Sequence, residues 1–228
     1  MDSKGSKNVT APLRSRHRIF LLSPANLAGI RAGYVLNDSA NSDLANRLRR
    51  NSVTIGELFS FISGLYFRGK LAYASAFAAP PSALSGSFVI TATAGLLRPD
   101  TVVTIDQLRE WAANDIDAGD RRFRTPLDRD CGLLFEEIGN SCEVVLLGSI
   151  ATSKYVGPLL PVFQERLLFP AEFVGRGDMS RGGLMLRAAQ AGTELAYVRV
   201  VDASRTGKRP PKLAPAQIRR HKAASRTN

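Results

Sequence analysis

The sequence predicts an α/β fold, a single domain built on a mostly parallel central sheet flanked by helices. Three observations predict it. Short apolar runs, of which residues 144–147 are the clearest, are bounded by polar residues and read as buried strands of a parallel sheet. Stretches with helix-start signatures separate them, at Thr54-Ile-Gly-Glu57, Thr104-Ile-Asp-Gln107 and Thr125-Pro126. The chain has 228 residues, enough to bury a core without staples.

Residues 1–17 lack apolar periodicity and are expected to form a disordered basic arm. The α/β domain is expected over 18–203, and a disordered, Pro-containing basic tail over 204–228. Within the domain, Arg18-Ile-Phe-Leu-Leu-Ser-Pro24 reads as a strand stopped by a proline that cannot donate to a ladder. Ser23-Pro-Ala-Asn26 is the loop at its carboxyl end. Residues 27–36 are ambiguous, because two glycines weaken any helix there, whereas 42–50 form a short helix. The Thr54 capping box opens a helix carrying Leu58, Phe61 and Ile62 inward. Helix continues to residue 77, with a possible break at Gly64, and Phe67, Leu71, Ala74 and Phe77 share one face. Arg68 and Lys70 are assigned to an exposed basic face, with substrate contact as the other reading.

Residues 87–93 form the second strand. Gly95-Leu-Leu-Arg-Pro-Asp-Thr101 is its exit loop, which puts Asp100 near the sheet's functional edge. The Thr104 box opens a helix through Leu108 and Trp111, and residues 114–124 read as a polar surface loop. Thr125-Pro126 starts a helix whose stripe is Leu127, Cys131, Leu134, Phe135 and Ile138, ended by Gly139. After the strand at 144–147, a helix from Ser153 is expected to break or restart at Gly157-Pro158 and Pro161. Residues 166–169 make a further strand, 173–183 a loop rich in glycine and arginine before an apolar helix, and 194–201 a half-buried final strand.

Charge is informative once it is placed. The net charge of +11 divides into +4 over residues 1–18, +8 over 204–228 and −1 over the rest. The basicity therefore belongs to the ends, where flexible arms add salt-sensitive affinity for phosphates or are simply solvated. Both histidines, His17 and His221, lie in those ends, which argues against Ser-His-Asp or Cys-His catalysis and against the H-E-x-x-H zinc helix. Two cysteines, Cys131 and Cys142, make no disulfide framework and no C-x-x-C pair, so both read as buried free thiols. No cofactor or metal is called for. No apolar run approaches the ~20 residues of a membrane helix, and the N-terminus is not that of a signal peptide, so no membrane partner and a cytoplasmic location are expected.

One candidate site is the stretch from Glu143 to Tyr155. Gly148 allows a sharp turn after the strand, and Ser149, Thr152 or Ser153 are placed to cap the next helix. Ligands of open α/β sheets sit beyond the carboxyl ends of strands. A nucleoside-triphosphate loop does not fit, since Ser153 stands for its second glycine and Tyr155 for its magnesium-binding hydroxyl. Lys154 remains a ligand candidate. Gly175-Arg-Gly-Asp178 is not a dinucleotide fingerprint, because Ser180 stands for the third glycine, but Arg176, Asp178 and Arg181 suit a polar planar ligand.

Leu21-Leu-Ser-Pro-Ala25 and Gly95-Leu-Leu-Arg-Pro99 resemble the opening strand exit and a later loop of the YaaA peroxide-stress protein family and related small α/β domains. Asn26 replaces the lysine of the family's L-x-S-P-A-K motif. Leu65-Tyr-Phe-Arg-Gly69 with Ala72-Tyr-Ala74 is loosely similar to a helix of the related domains. Arg181-Gly-Gly-Leu-Met185 is similar to an R-G-L-M segment with one glycine inserted. The resemblance implies an α/β protein with a cleft at the strand ends that protects DNA during oxidative stress by binding it.

These readings converge on a protein that binds nucleic acid or its components, nucleotides and nucleobases. Its expected cleft is lined by Ser23, Asp100, Ser149, Lys154, Arg176, Asp178 and Arg181. One alternative is a metal-independent enzyme that cleaves or exchanges a base–sugar bond with Asp100 and Asp178 as catalytic carboxylates. The other is a non-catalytic scaffold whose glycines only build loops.

Overall fold

The structure is a computed structural model that describes residues 17–81, 83–211 and 213. The expectations for residues 1–16 and for most of the tail over 204–228 lie outside the described residues. In chain order the first elements are β1 (Arg18–Leu22), α1 (Ile30–Leu36), α2 (Asp43–Arg49), β2 (Val53–Thr54), α3 (Ile55–Ser63) and α4 (Leu65–Phe77). There follow β3 (Ser87–Ile90), β4 (Leu96–Leu97), β5 (Val102–Val103), α5 (Ile105–Ala113) and α6 (Arg121–Glu137). The last are β6 (Glu143–Leu147), α7 (Ser153–Phe163), β7 (Leu167–Pro170), α8 (Asp178–Ala191) and β8 (Tyr197–Arg199).

The main sheet has the order β4-β3-β1-β6-β7-β8. Its four inner strands are parallel, and β4 and β8 close the two edges antiparallel. The expected α/β class is therefore the observed one. β1 and β6 lie at the centre and bury four consecutive residues each, which is why they read as continuous apolar runs. From β1 the chain crosses outward to β3, then returns past β1 to β6 and continues to β7. α4, on the connection from β1 to β3, packs against α8, and α7, on the connection from β6 to β7, packs against α6. The gap between β1 and β6 is thus the switch point at which connections diverge, the usual place for a ligand crevice. A separate antiparallel ribbon pairs β2, which leads into α3, with β5, which leads into α5.

Several local features depart from the sequence expectations, each for an identifiable reason. Residues 27–36, left ambiguous, contain α1. The exit loop after β3 is a hairpin, because residues 96–97 pair back onto β3. α6 starts at Arg121, not at Thr125, since the Asp120 carboxylate accepts from the Arg122 amide at 2.8 Å and caps it one turn earlier. α7 does not break at its prolines. Pro158 and Pro161 each omit one backbone donor, but the buried face of Tyr155, Val156, Leu159 and Phe163 keeps the helix intact. Gly182 and Gly183 belong to α8, which begins at Asp178, so the expected loop is only its first half.

The breaks that do occur use glycine. Gly64 sits at φ +57° between α3 and α4, a left-handed conformation that a residue with a Cβ rarely adopts. Of the two expected capping boxes, the one at Thr104 is complete. At Thr54 the hydroxyl accepts from the Glu57 amide, but the Glu57 carboxylate pairs with Arg47 instead of closing the box.

Candidate functional site

The carboxyl ends of β1 and β6 meet at Ser23 and Gly148. A Cβ on Gly148 would lie 3.1 Å from that of Ser23. Above this point opens a cavity of about 430 Å³. Its floor includes Ser23 and the loop to Ala28, and the exit of β6 contributes Ser149, Thr152, Lys154 and Tyr155. Phe59 of α3, Tyr66 of α4 and Trp111 of α5 add aromatic surface, with Asn114 and Asp115 just past α5 and Asp178 at the start of α8.

Helix packing supplies the floor. α4 and α8 cross at a glycine pair: a Cβ on Gly69 would come within 2.7 Å of the Gly182 carbonyl, and one on Gly182 within 2.6 Å of the Leu65 carbonyl. Backbones this close bring Asp178 and Arg181 of α8 beside Tyr66 and Lys70 of α4. Arg181 is fixed by three donations, from Nε and Nη2 to the Phe173 carbonyl and from Nη1 to that of Gly148. It thus ties α8 to the end of β6.

Lys70 is the residue the sequence reading misplaced. The expected exposed basic face holds Arg68, whereas Lys70 is completely buried. Its Nζ donates to both the backbone carbonyl and the Oγ of Ser23, each at 2.7 Å, and lies 3.8 Å from the centre of the Tyr66 ring. Burial brings the amine down to about pH 7, with the Asp178 carboxylate opposing that shift and Arg181 adding to it. The Ser23 hydroxyl in turn donates to the Leu147 carbonyl at 3.3 Å. Burial raises the Tyr66 and Tyr155 phenols, with each hydroxyl also touching Ser23. Both stay neutral and able to donate.

Two buried polar atoms in cavity-lining residues have no hydrogen-bond partner among the described residues: Trp111 Nε1, a donor, and Asn114 Oδ1, an acceptor. Buried polar atoms in native proteins are nearly always satisfied. Both atoms are closed off from the open space of the cavity, so they belong to the packing of its wall. Among the described residues no group of three His, Cys, Asp or Glu side chains is placed to hold a metal ion, and no helix is long and apolar enough to cross a membrane.

Of the residues singled out in the sequence, Ser23, Ser149, Lys154 and Asp178 line this one cavity, and Arg181 braces it from below. Asp100 and Arg176 do not line it. Asp100 sits on an exposed turn after β4, where its carboxylate pairs with Arg98 at 2.5 Å and is held below the usual range by that guanidinium. Antiparallel β4 carries the chain back from the carboxyl edge before Asp100 is reached. Arg176 donates to the Glu172 carbonyl, the Ser180 hydroxyl and the Pro211 carbonyl, and so faces the segment after β8. The sequence reading did not single out Tyr66, Trp111 or Asn114, took Tyr155 only as the end of the candidate stretch, and set Lys70 on an exposed face with substrate contact as the other reading. One signal for Lys70 exists, since Tyr66, Lys70, Tyr73 and Phe77 recur at spacings of four, three and four, an apolar stripe with a lysine in it. Comparison with family models, with curated proteins and with solved structures finds no match to this chain.

Proposed function

We propose that this protein binds a nucleobase or nucleoside, a component of nucleic acid, in the cavity at the ends of β1 and β6. The observation that carries this reading is the pairing, around one cavity, of aromatic walls (Phe59, Tyr66, Trp111 and Tyr155) with the polar side chains of Asn114, Asp115, Ser149 and Thr152. A flat heterocycle with donors and acceptors on its edge fits both features, stacking on rings while its edge meets polar side chains. The volume lies within the ~300–1,000 Å³ of small-molecule sites. A cavity of that size suits one base or nucleoside and not a duplex. Around the same cavity, Lys154 suits a phosphate and the Asp115 and Asp178 carboxylates suit sugar hydroxyls.

The resemblance to the YaaA family and a role in DNA protection belong to the same proposal, with the basic ends supplying phosphate contacts. The stretch 204–211 supports that addition, since Arg209 lines a groove with Arg176 and Arg187. Asp178 favours a second reading, cleavage of a base–sugar bond, because this carboxylate lines the cavity. Calorimetric titration of the full chain with free bases, nucleosides, nucleotides and short oligonucleotides across a salt series tests the proposal. Saturable, salt-insensitive binding of a base or nucleoside is expected. Absence of heat with every base and nucleoside would overturn it. Release of free base from a nucleoside, lost in Asp178→Asn, would establish the second reading.

A further inference from the structure

We propose that Ser23 is a nucleophile and Lys70 its general base, a dyad placed to attack the carbonyl carbon of a small carboxylic ester or activated amide in the cavity. This goes beyond ligand binding and rests on the cavity, not on the identity of its planar occupant.

The geometry is that of a nucleophile with a base behind it. Ser23 lines the cavity, and Lys70 Nζ contacts its Oγ at 2.7 Å from the protein side. A second donation to the Ser23 carbonyl and the Tyr66 ring hold the amine in place. Lys70 makes no ion pair among the described residues. A fully buried ammonium without a carboxylate partner is costly, which favours the free amine needed to accept a proton. The charged and titratable groups facing Lys70 are Asp178 and Arg181 from α8 and Tyr66 from its own helix, while Tyr155 from α7 reaches Ser23. When Lys70 is an ammonium it donates to Ser23 Oγ, and the serine proton goes to the Leu147 carbonyl. When Lys70 is an amine the same contact reverses, and the serine proton points at Nζ.

In the first step Ser23 Oγ bonds to the carbonyl carbon, its proton passes to Nζ, and the carbonyl electron pair moves onto oxygen. The Tyr66 and Tyr155 hydroxyls beside Ser23 are donors for that oxyanion. Collapse breaks the bond to the leaving group, which takes the proton from the Lys70 ammonium. Water then attacks the acyl-serine, gives its proton to Nζ, and releases the acid while Ser23 recovers its hydrogen. Ester and water become acid and alcohol.

The test treats the full chain with a small alkyl fluorophosphonate, which phosphonylates an activated serine with loss of fluoride, and reads intact mass and peptide maps. A single adduct on Ser23 is expected, with a rate that rises as pH passes through about 7. Ser23→Ala, a small change checked for folding by circular dichroism, should give no adduct. Lys70→Met should react at least about 100-fold more slowly. If that variant does not fold, the pH profile of the unmodified chain decides the role of Lys70. No adduct, an adduct at another residue, or a rate on Ser23 that is flat from about pH 5.5 to 8.5 would overturn the proposal.

Discussion

Lys70 Nζ reaches across from α4 to the residue just past β1 and holds Ser23 by both its backbone carbonyl and its hydroxyl, at 2.7 Å each. One long side chain thus defines the position of the residue at the centre of the candidate site. It carries an ionisable group into a fully buried setting to do so. The consequences for stability and for titration can be worked out with their signs.

Lys70 has a lower pKa in the folded chain, about 7, than its ordinary 10.5. Between those values the unfolded chain binds more protons than the folded one, so stability rises with pH. The cost of burying the lysine is complete below pH 7 and is relieved as pH climbs toward 10.5. Urea unfolding at pH 7 and pH 9 should show the unmodified chain gaining on Lys70→Met, by up to ~1.4 kcal/mol per pH unit. Equal changes in the two proteins would mean that Lys70 titrates alike folded and unfolded.

The neighbours of Lys70 act on it with opposite signs. Asp178 favours the ammonium and Arg181 disfavours it. Asp178→Asn should therefore move the Lys70 midpoint to lower pH, read from the side-chain carbon signal of a labelled lysine in an NMR titration. A midpoint that stays put or rises would place Asp178 out of electrical contact with the floor.

The α4–α8 crossing tolerates no side chain at Gly69 or Gly182, because a Cβ at either would stand within 2.7 Å of a backbone carbonyl oxygen. Gly69→Ala should destabilise the chain by about 1–3 kcal/mol through helix separation, against the small gain in helix propensity. Gly183→Ala, one residue beyond the crossing, is the control, since its Cβ would meet only Leu213 at 3.5 Å. Equal urea midpoints for Gly69→Ala and Gly183→Ala would remove the close crossing from the account.

The sheet and half of the site were legible in the sequence for physical reasons. β1 and β6 are covered on both faces, so their apolar runs are unbroken; the strand-end rule pointed to Ser23, Ser149 and Lys154, and the glycine-rich loop before α8 to Asp178. Lys70 escaped because α4 is buried along two sides, by the sheet and by α8, and a lysine is ordinarily placed on the wet side of a helix. Trp111 looked like core and is core, and its unsatisfied indole nitrogen is invisible without its surroundings. Asp100 was misplaced because two residues of β4 reverse the chain, too short a strand to leave a pattern.

Trp111 is the single tryptophan of the chain and is among the residues lining the cavity, so tryptophan emission comes from that one place. Titrating the full chain with a nucleoside while recording that emission is the most direct measurement of what the cavity holds. Stacking of a base in the cavity should quench or shift the emission saturably, and Asn114→Ala should weaken the apparent affinity about tenfold. Emission unchanged by every base and nucleoside up to millimolar concentration would contradict the account.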